Sequence, residues 1–175
     1  IELLGTTPVR QVRWWHLHKH VADLLYDRGI GMLSESVIPE IAAKIGVLTL
    51  GCGNEPELSG RTPEQATERI RKAYQTGKAK NPKIVVAAPA VNISGEALQY
   101  LDQMYQHGLK EYIDVLDLHT YGGNSKNNPA LPGYPQGAPE FLFDAMEKVN
   151  AVLKKYGDEN KPKISTEFGY TDGQI

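Results

Sequence analysis

Three short stretches hold residues that could share one reaction. In "VLTLGCGNEPELSG" (47–60) an apolar run ends in Asn54 and Glu55; "LDLHTY" (116–121) carries His119 and Tyr121, and "ISTEFGY" (164–170) carries Glu167. Val47, Leu48, Leu50 and Cys52 read as a buried strand, so Glu55 stands at the mouth of a core strand. A carboxylate there is partly desolvated, which costs free energy unless it has a partner or a task. Two glutamates facing one cleft from separate strands are the minimum equipment for cleaving a glycosidic bond. One is kept protonated to donate to the leaving oxygen; the other is ionised, to attack or to activate water. Environment alone can set that difference between identical side chains.

The elements that must position these residues alternate strand and helix. Strand-like runs fall at 9–15, 30–36, 47–52, 83–90, 113–121 and 163–170. Between the first two, Leu17, Val21, Leu24 and Leu25 keep helical spacing up to Gly29, and "IPEIAAKIG" is a short helix leading to the third strand. Thr62, Pro63 and Gln65 predict a capping box with Pro at the first helical position, and Ala66, Ile70, Ala73 and Tyr74 supply that helix's apolar face. Leu98, Leu101 and Met104 line the next helix, stopped at Gly108; Phe141, Leu142, Ala145, Met146, Val149 and Val152 line the last, stopped at Gly157. Strand and helix in alternation predict an α/β domain with a parallel sheet. Continuous apolar strands such as "KIVVAAPA" (83–90) fit a sheet covered on both faces. In such a sheet the three strand ends point to the same rim, where parallel α/β folds place their sites. The long irregular stretch 121–139 follows one of those ends, and a loop of that length in a small domain is usually functional.

Asn-Glu-Pro at one strand end, His-x-Tyr at the next but one and Thr-Glu-Phe-Gly one strand later resemble the clan A glycoside hydrolases, with the closest likeness to the family 39 and family 5 types. The likeness covers residues 46–173, and the intervals of 64 residues from Glu55 to His119 and 48 from His119 to Glu167 are part of it. It implies a (β/α)8 TIM barrel, a retaining double displacement and a β-linked oligo- or polysaccharide as substrate. By that resemblance Glu55 is the acid/base at the end of the fourth strand, and Asn54 binds the sugar 2-hydroxyl. Glu167 is the nucleophile at the end of the seventh; Tyr121 donates to it, and His119 lines the sugar subsite. No metal or organic cofactor is implied. The chain departs from the pattern in reading "LTLGCG" where relatives usually carry a Trp, and in offering only six readable strands. Arg10 and Arg13 both stand as matches for an arginine on an early strand. The expectation is therefore a single, incomplete barrel domain over residues 1–175, its open strand edges covered by further chain or by a second copy. A polysaccharide-degrading enzyme of this kind is expected outside the cell.

Other readings compete. His16, His18 and His20 in "WWHLHKH" would face one way on a strand and form a metal cluster, as in a metal-dependent hydrolase. The helical spacing of Leu17, Val21, Leu24 and Leu25 through the same stretch argues instead for a solvated helix face. A carbohydrate-binding relative that keeps both glutamates without turnover is the third reading. Tyr134 could stack on a sugar ring, and Asn124, Asn127 and Asn128 suit turns or sugar hydroxyls. The chain of 175 residues is long enough for one domain with its own core, and its net charge of −2 gives no electrostatic footprint for nucleic acid or an anionic membrane. No apolar run approaches the roughly 20 residues that span a bilayer, and the one cysteine, Cys52, excludes an internal disulfide.

Overall fold

The computed structural model describes residues 11–14, 31–34, 49–51, 53–93, 95–121 and 140–169. The first strand, β1 (Gln11–Trp14), pairs in parallel with β2 (Gly31–Ser34), which pairs with β3 (Thr49–Gly51), which pairs with β4 (Val85–Ala87). A second parallel set follows: β5 (Val91–Asn92), β6 (Leu116–Tyr121) and β7 (Lys163–Gly169). Two single bridges join the sets, Asn54 with Ala90 and Ala87 with Val115. The strands thus lie side by side in chain order, all parallel, as expected for strands linked by helical crossovers. The expected helices on residues 17–28 and 38–45, the histidine cluster, Arg10, Cys52, Tyr134 and the 122–139 asparagines lie outside the described residues.

Among the described residues three helices cover one face: α1 (Pro63–Lys80), α2 (Gly95–Gln106) and α3 (Glu140–Lys155). The capping box of α1 is made as expected, Gln65 N–H donating to Thr62 Oγ1 and Thr62 N–H to Gln65 Oε1. Ala66 and Ile70 of α1, Leu98, Leu101 and Met104 of α2, and Ala145, Val149 and Leu153 of α3 meet Val86, Leu116 and Leu118 of the sheet in one buried core. The opposite face carries a smaller apolar layer of Val85, Ala87, Val115 and Ile164. Even-numbered residues of β6 therefore face the helices, and odd-numbered ones face the other side. No helix among the described residues is long and apolar enough to cross a membrane.

The strand expected over 83–90 is not continuous. It breaks between β4 and β5 at Pro89, which has no N–H to give. Ala88 N–H bonds toward β6, at Val115 O, whereas Ala90 N–H bonds the other way, to Gly53 O. In an unbroken strand both would bond to the same neighbour. From Ala87 to Val91 this strand advances four residues while β6 advances three, from Val115 to Leu118. One surplus residue changes which face every later side chain takes.

Gly53, facing this break, holds φ at 137°, where side-chain-bearing residues are strained. An added Cβ would lie 3.7 Å from Pro89 Cβ, an ordinary contact, so the constraint is in the backbone and not in the space available. Gly53→Ala is expected to cost about 1–3 kcal/mol in urea unfolding. A loss below roughly 0.5 kcal/mol would mean that the turn relaxes to another φ without strain.

Candidate active site

β6 is the axis of the site. His119, on its non-helical face, is fully buried and has Asn92 of β5 as its register partner on one side and Glu167 of β7 on the other. Both partners reach that face through an irregularity. The surplus residue at the β4–β5 break serves Asn92. On the other side Leu118 pairs with Ser165, but His119 pairs with Glu167, so β7 also carries one extra residue, a β-bulge at Thr166. Without it Glu167 would pair with Thr120 and face the helices. Thr166 Oγ1 lies 2.9 Å from both carboxylate oxygens of the buried Asp117 and ties the bulge to β6.

Glu55 arrives from β3 by a different device. Its backbone is left-handed, with φ 40° and ψ 59°, and it is the one non-glycine with positive φ among the described residues. Such a conformation costs on the order of 1–3 kcal/mol and persists only when its surroundings hold it. Here Glu55 N–H donates to Ala90 O at 2.8 Å, and Glu55 O accepts from Leu58 N–H at 2.9 Å, closing the 3-10 turn Pro56–Leu58. Asn54, half-buried beside it, is fixed by its bridge to Ala90.

These placements converge on one polar cluster. His119 Nδ1 is 2.9 Å from Glu55 Oε1 and 3.5 Å from Glu167 Oε2. Tyr121 OH donates to Glu167 Oε2 at 2.8 Å. The glutamates stay partly open, with side chains 21% and 29% exposed, while the histidine between them is sealed. One ligand atom from each of Glu55, His119 and Glu167 lies within 4.8 Å of the others. That trio has the donor types to hold a divalent ion, and equally the spacing for two-carboxylate chemistry. Carboxyl oxygens flank Nδ1, so the tautomer that satisfies them carries its proton there and donates to Glu55 Oε1.

Two further residues join that the strand-end reading passed over. Asn92 Nδ2 donates to Glu55 Oε1 at 2.9 Å and to Glu57 Oε1 at 3.1 Å, and Asn92 N–H donates to the same Glu57 oxygen at 2.9 Å. The other Glu57 oxygen, Oε2, is buried without a hydrogen-bond partner. Burial pushes the Glu57 carboxyl up. The bonds from Asn92 and from its own N–H oppose that rise, and the charge of Glu55 adds to it. The available signal was a polar residue ending the fourth apolar strand, as at the other three, and a second glutamate two residues past the first.

Neither a protein-family model nor any curated protein matches the chain. Solved structures do. A glucosidase from Croceicoccus marinus is similar over 88% of this chain and 38% of its own, at 16% identity and a TM-score of 0.54. A family 44 xyloglucanase from Paenibacillus polymyxa is similar over 87% of this chain and 59% of its own, at 11% identity and a TM-score of 0.51. The GH51 arabinofuranosidase from Xanthomonas axonopodis pv. citri is similar over 90% and 41%, at 15% identity and a TM-score of 0.50. The likeness is one of fold: the chain shares the α/β fold of these glycoside hydrolases and spans less than two thirds of the length of each.

Two outcomes follow from the geometry. Thr166→Val, nearly isosteric, removes the hydroxyl that holds the bulge to Asp117; a loss of about 1–3 kcal/mol is expected in urea unfolding. A change within about 0.5 kcal/mol would show that the bulge is held by other means. For Glu57, a raised folded-state value means that its stabilising share is complete below the ordinary carboxylate range. That share is lost as pH rises through the raised value. The stability of Glu57→Gln relative to wild type should therefore improve as pH rises from about 4 to about 8, read from urea midpoints. A flat difference contradicts the assignment.

Proposed function

We propose that this chain carries the catalytic face of a retaining O-glycoside hydrolase on a (β/α)8 barrel of the clan A type, of which the consecutive parallel strands are a part. The observation that carries the reading is the approach of the two glutamates, with oxygens of Glu55 and Glu167 inside 4.8 Å on either side of His119. Retaining enzymes hold their carboxyl groups roughly 5–5.5 Å apart, whereas inverting enzymes leave roughly 6.5–9.5 Å for a water. The shared fold with glycosidases and a xyloglucanase supports the carbohydrate class.

In this reading Glu167 attacks the anomeric carbon. Tyr121 OH, donating to its Oε2 at 2.8 Å, aims it, and His119 Nδ1 lies 3.5 Å from the same oxygen. Glu55 protonates the departing oxygen as the glycosyl ester forms on Glu167. It then takes a proton from the water that hydrolyses the ester, which restores both groups. Asn54 binds the sugar 2-hydroxyl, where a contact tightens in the transition state. The substrate is an oligo- or polysaccharide with a β-type linkage, and no metal takes part.

Intact-mass analysis after incubation with a panel of deoxyfluoro glycosides tests this. A one-to-one adduct on the peptide holding Glu167, absent in Glu167→Gln, is expected. In kcat/KM, which reports ester formation, Glu55→Ala should lose about 100-fold or more on glycosides with poor leaving groups and far less on activated aryl glycosides. Chelator should leave turnover unchanged; its abolition would favour a metal bound by the Glu55–His119–Glu167 trio. A folded protein that binds oligosaccharide but forms no adduct would favour a carbohydrate-binding role.

A further inference from the structure

We infer that Asn92 and Glu57 form a positioning pair for Glu55, fixing which of its two oxygens exchanges the proton; this rests on the glycosidase reading above. The Asn92 side-chain amide lies between Glu55 Oε1 and Glu57 Oε1, at 2.9 and 3.1 Å. Both neighbours are carboxylate oxygens, so the NH2 end must face them and the amide has one workable orientation. Glu57 Oε1 holds Asn92 twice, accepting from Nδ2 at 3.1 Å and from the backbone N–H at 2.9 Å.

The consequence falls on Glu55. Its Oε1 accepts from Asn92 Nδ2 and from His119 Nδ1, both at 2.9 Å, which occupies both lone pairs of that oxygen. Oε2 is then the oxygen left to give a proton to the leaving group and to take one from water. The arrangement holds in both protonation states, because Oε1 accepts whether or not Oε2 carries the proton. It also explains why the fold keeps Glu57 where one of its oxygens is buried without a partner. A buried unsatisfied carboxylate oxygen is a cost that native structures seldom carry without a role. The role here is to orient one amide.

The test compares Asn92→Ala and Glu57→Gln with wild type on two glycosides of the sugar that labels Glu167, one with a dinitrophenyl leaving group and one with an alkyl leaving group. Departure of dinitrophenolate needs no proton, so misplacing Glu55 should lower kcat/KM, which reports ester formation, only for the alkyl glycoside; the hydrolysis of the ester, where Glu55 acts as base, is common to both. For Asn92→Ala we expect kcat/KM on the alkyl glycoside to fall about 10- to 100-fold and kcat/KM on the dinitrophenyl glycoside to fall less than about threefold. Glu57→Gln keeps an oxygen for the Asn92 amide but not its charge, and should show the same pattern at about 3- to 10-fold. Circular dichroism checks that each variant is folded. Should Asn92→Ala misfold, Glu57→Gln carries the test alone. Equal losses of kcat/KM on both glycosides, or none, overturn the inference while wild-type turnover leaves the glycosidase reading standing. A wild-type protein inactive on both glycosides overturns that reading, and the positioning role with it.

Discussion

Side chains on a strand alternate between faces, and the whole site depends on breaking that alternation once on each side of β6. His119 takes its place by simple parity within a regular strand. Asn92 and Glu167 do not: each joins it because its own strand carries one residue more than β6 over the same span. Remove either surplus and a polar side chain turns toward the helix-facing core, where it has no partner. The apolar side of the sheet therefore guards the polar side, since the core of Leu116, Leu118 and the three helices penalises the wrong register.

The irregularities are held by chemistry suited to each. Pro89 supplies the first by lacking a donor, and the N–H groups flanking it turn to opposite neighbours. Thr166 is anchored through its hydroxyl to a buried carboxylate. Glu55 uses neither parity nor a bulge. It sits in a left-handed conformation that glycine would adopt more easily, held by backbone bonds to Ala90 and Leu58 and by its carboxylate's bonds to Asn92 and His119. Local strain, a buried unsatisfied oxygen and two breaks in strand register gather within a few residues, while the helix-facing core shows regular packing. Functional sites are where such departures from local preference accumulate.

A polar cluster of this kind also explains why the two glutamates need not be chemically distinguished by residue type. Glu167 accepts from Tyr121 OH, with His119 Nδ1 3.5 Å away. Glu55 meets its donors at one oxygen only. Neighbouring groups, placed by different strands, thus give two like side chains different surroundings.

Much of this was legible in the residues alone. Strands within five of the six expected runs and the first part of the remaining one, the capping box at Thr62, the apolar faces of the three described helices and the strand-end positions of Glu55, His119, Tyr121 and Glu167 all follow from period, caps and punctuation. Those are local signals, written within a turn of helix or a few residues of strand. What the residues could not reveal was register. "KIVVAAPA" reads as one strand, and only pairing with β3 and β6 shows that it loses a step at Pro89. "KISTEFG" reads as an alternating strand in which Glu167 shares a face with Ser165, and only the neighbour β6 reveals that it does not. Asn92 and Glu57 were missed for the same reason, since their meaning lies in what stands opposite them. Sequence determines which residues can reach a strand end, because that depends on neighbours along the chain. Tertiary structure decides which face they meet on, because a one-residue surplus is defined only against the strand alongside.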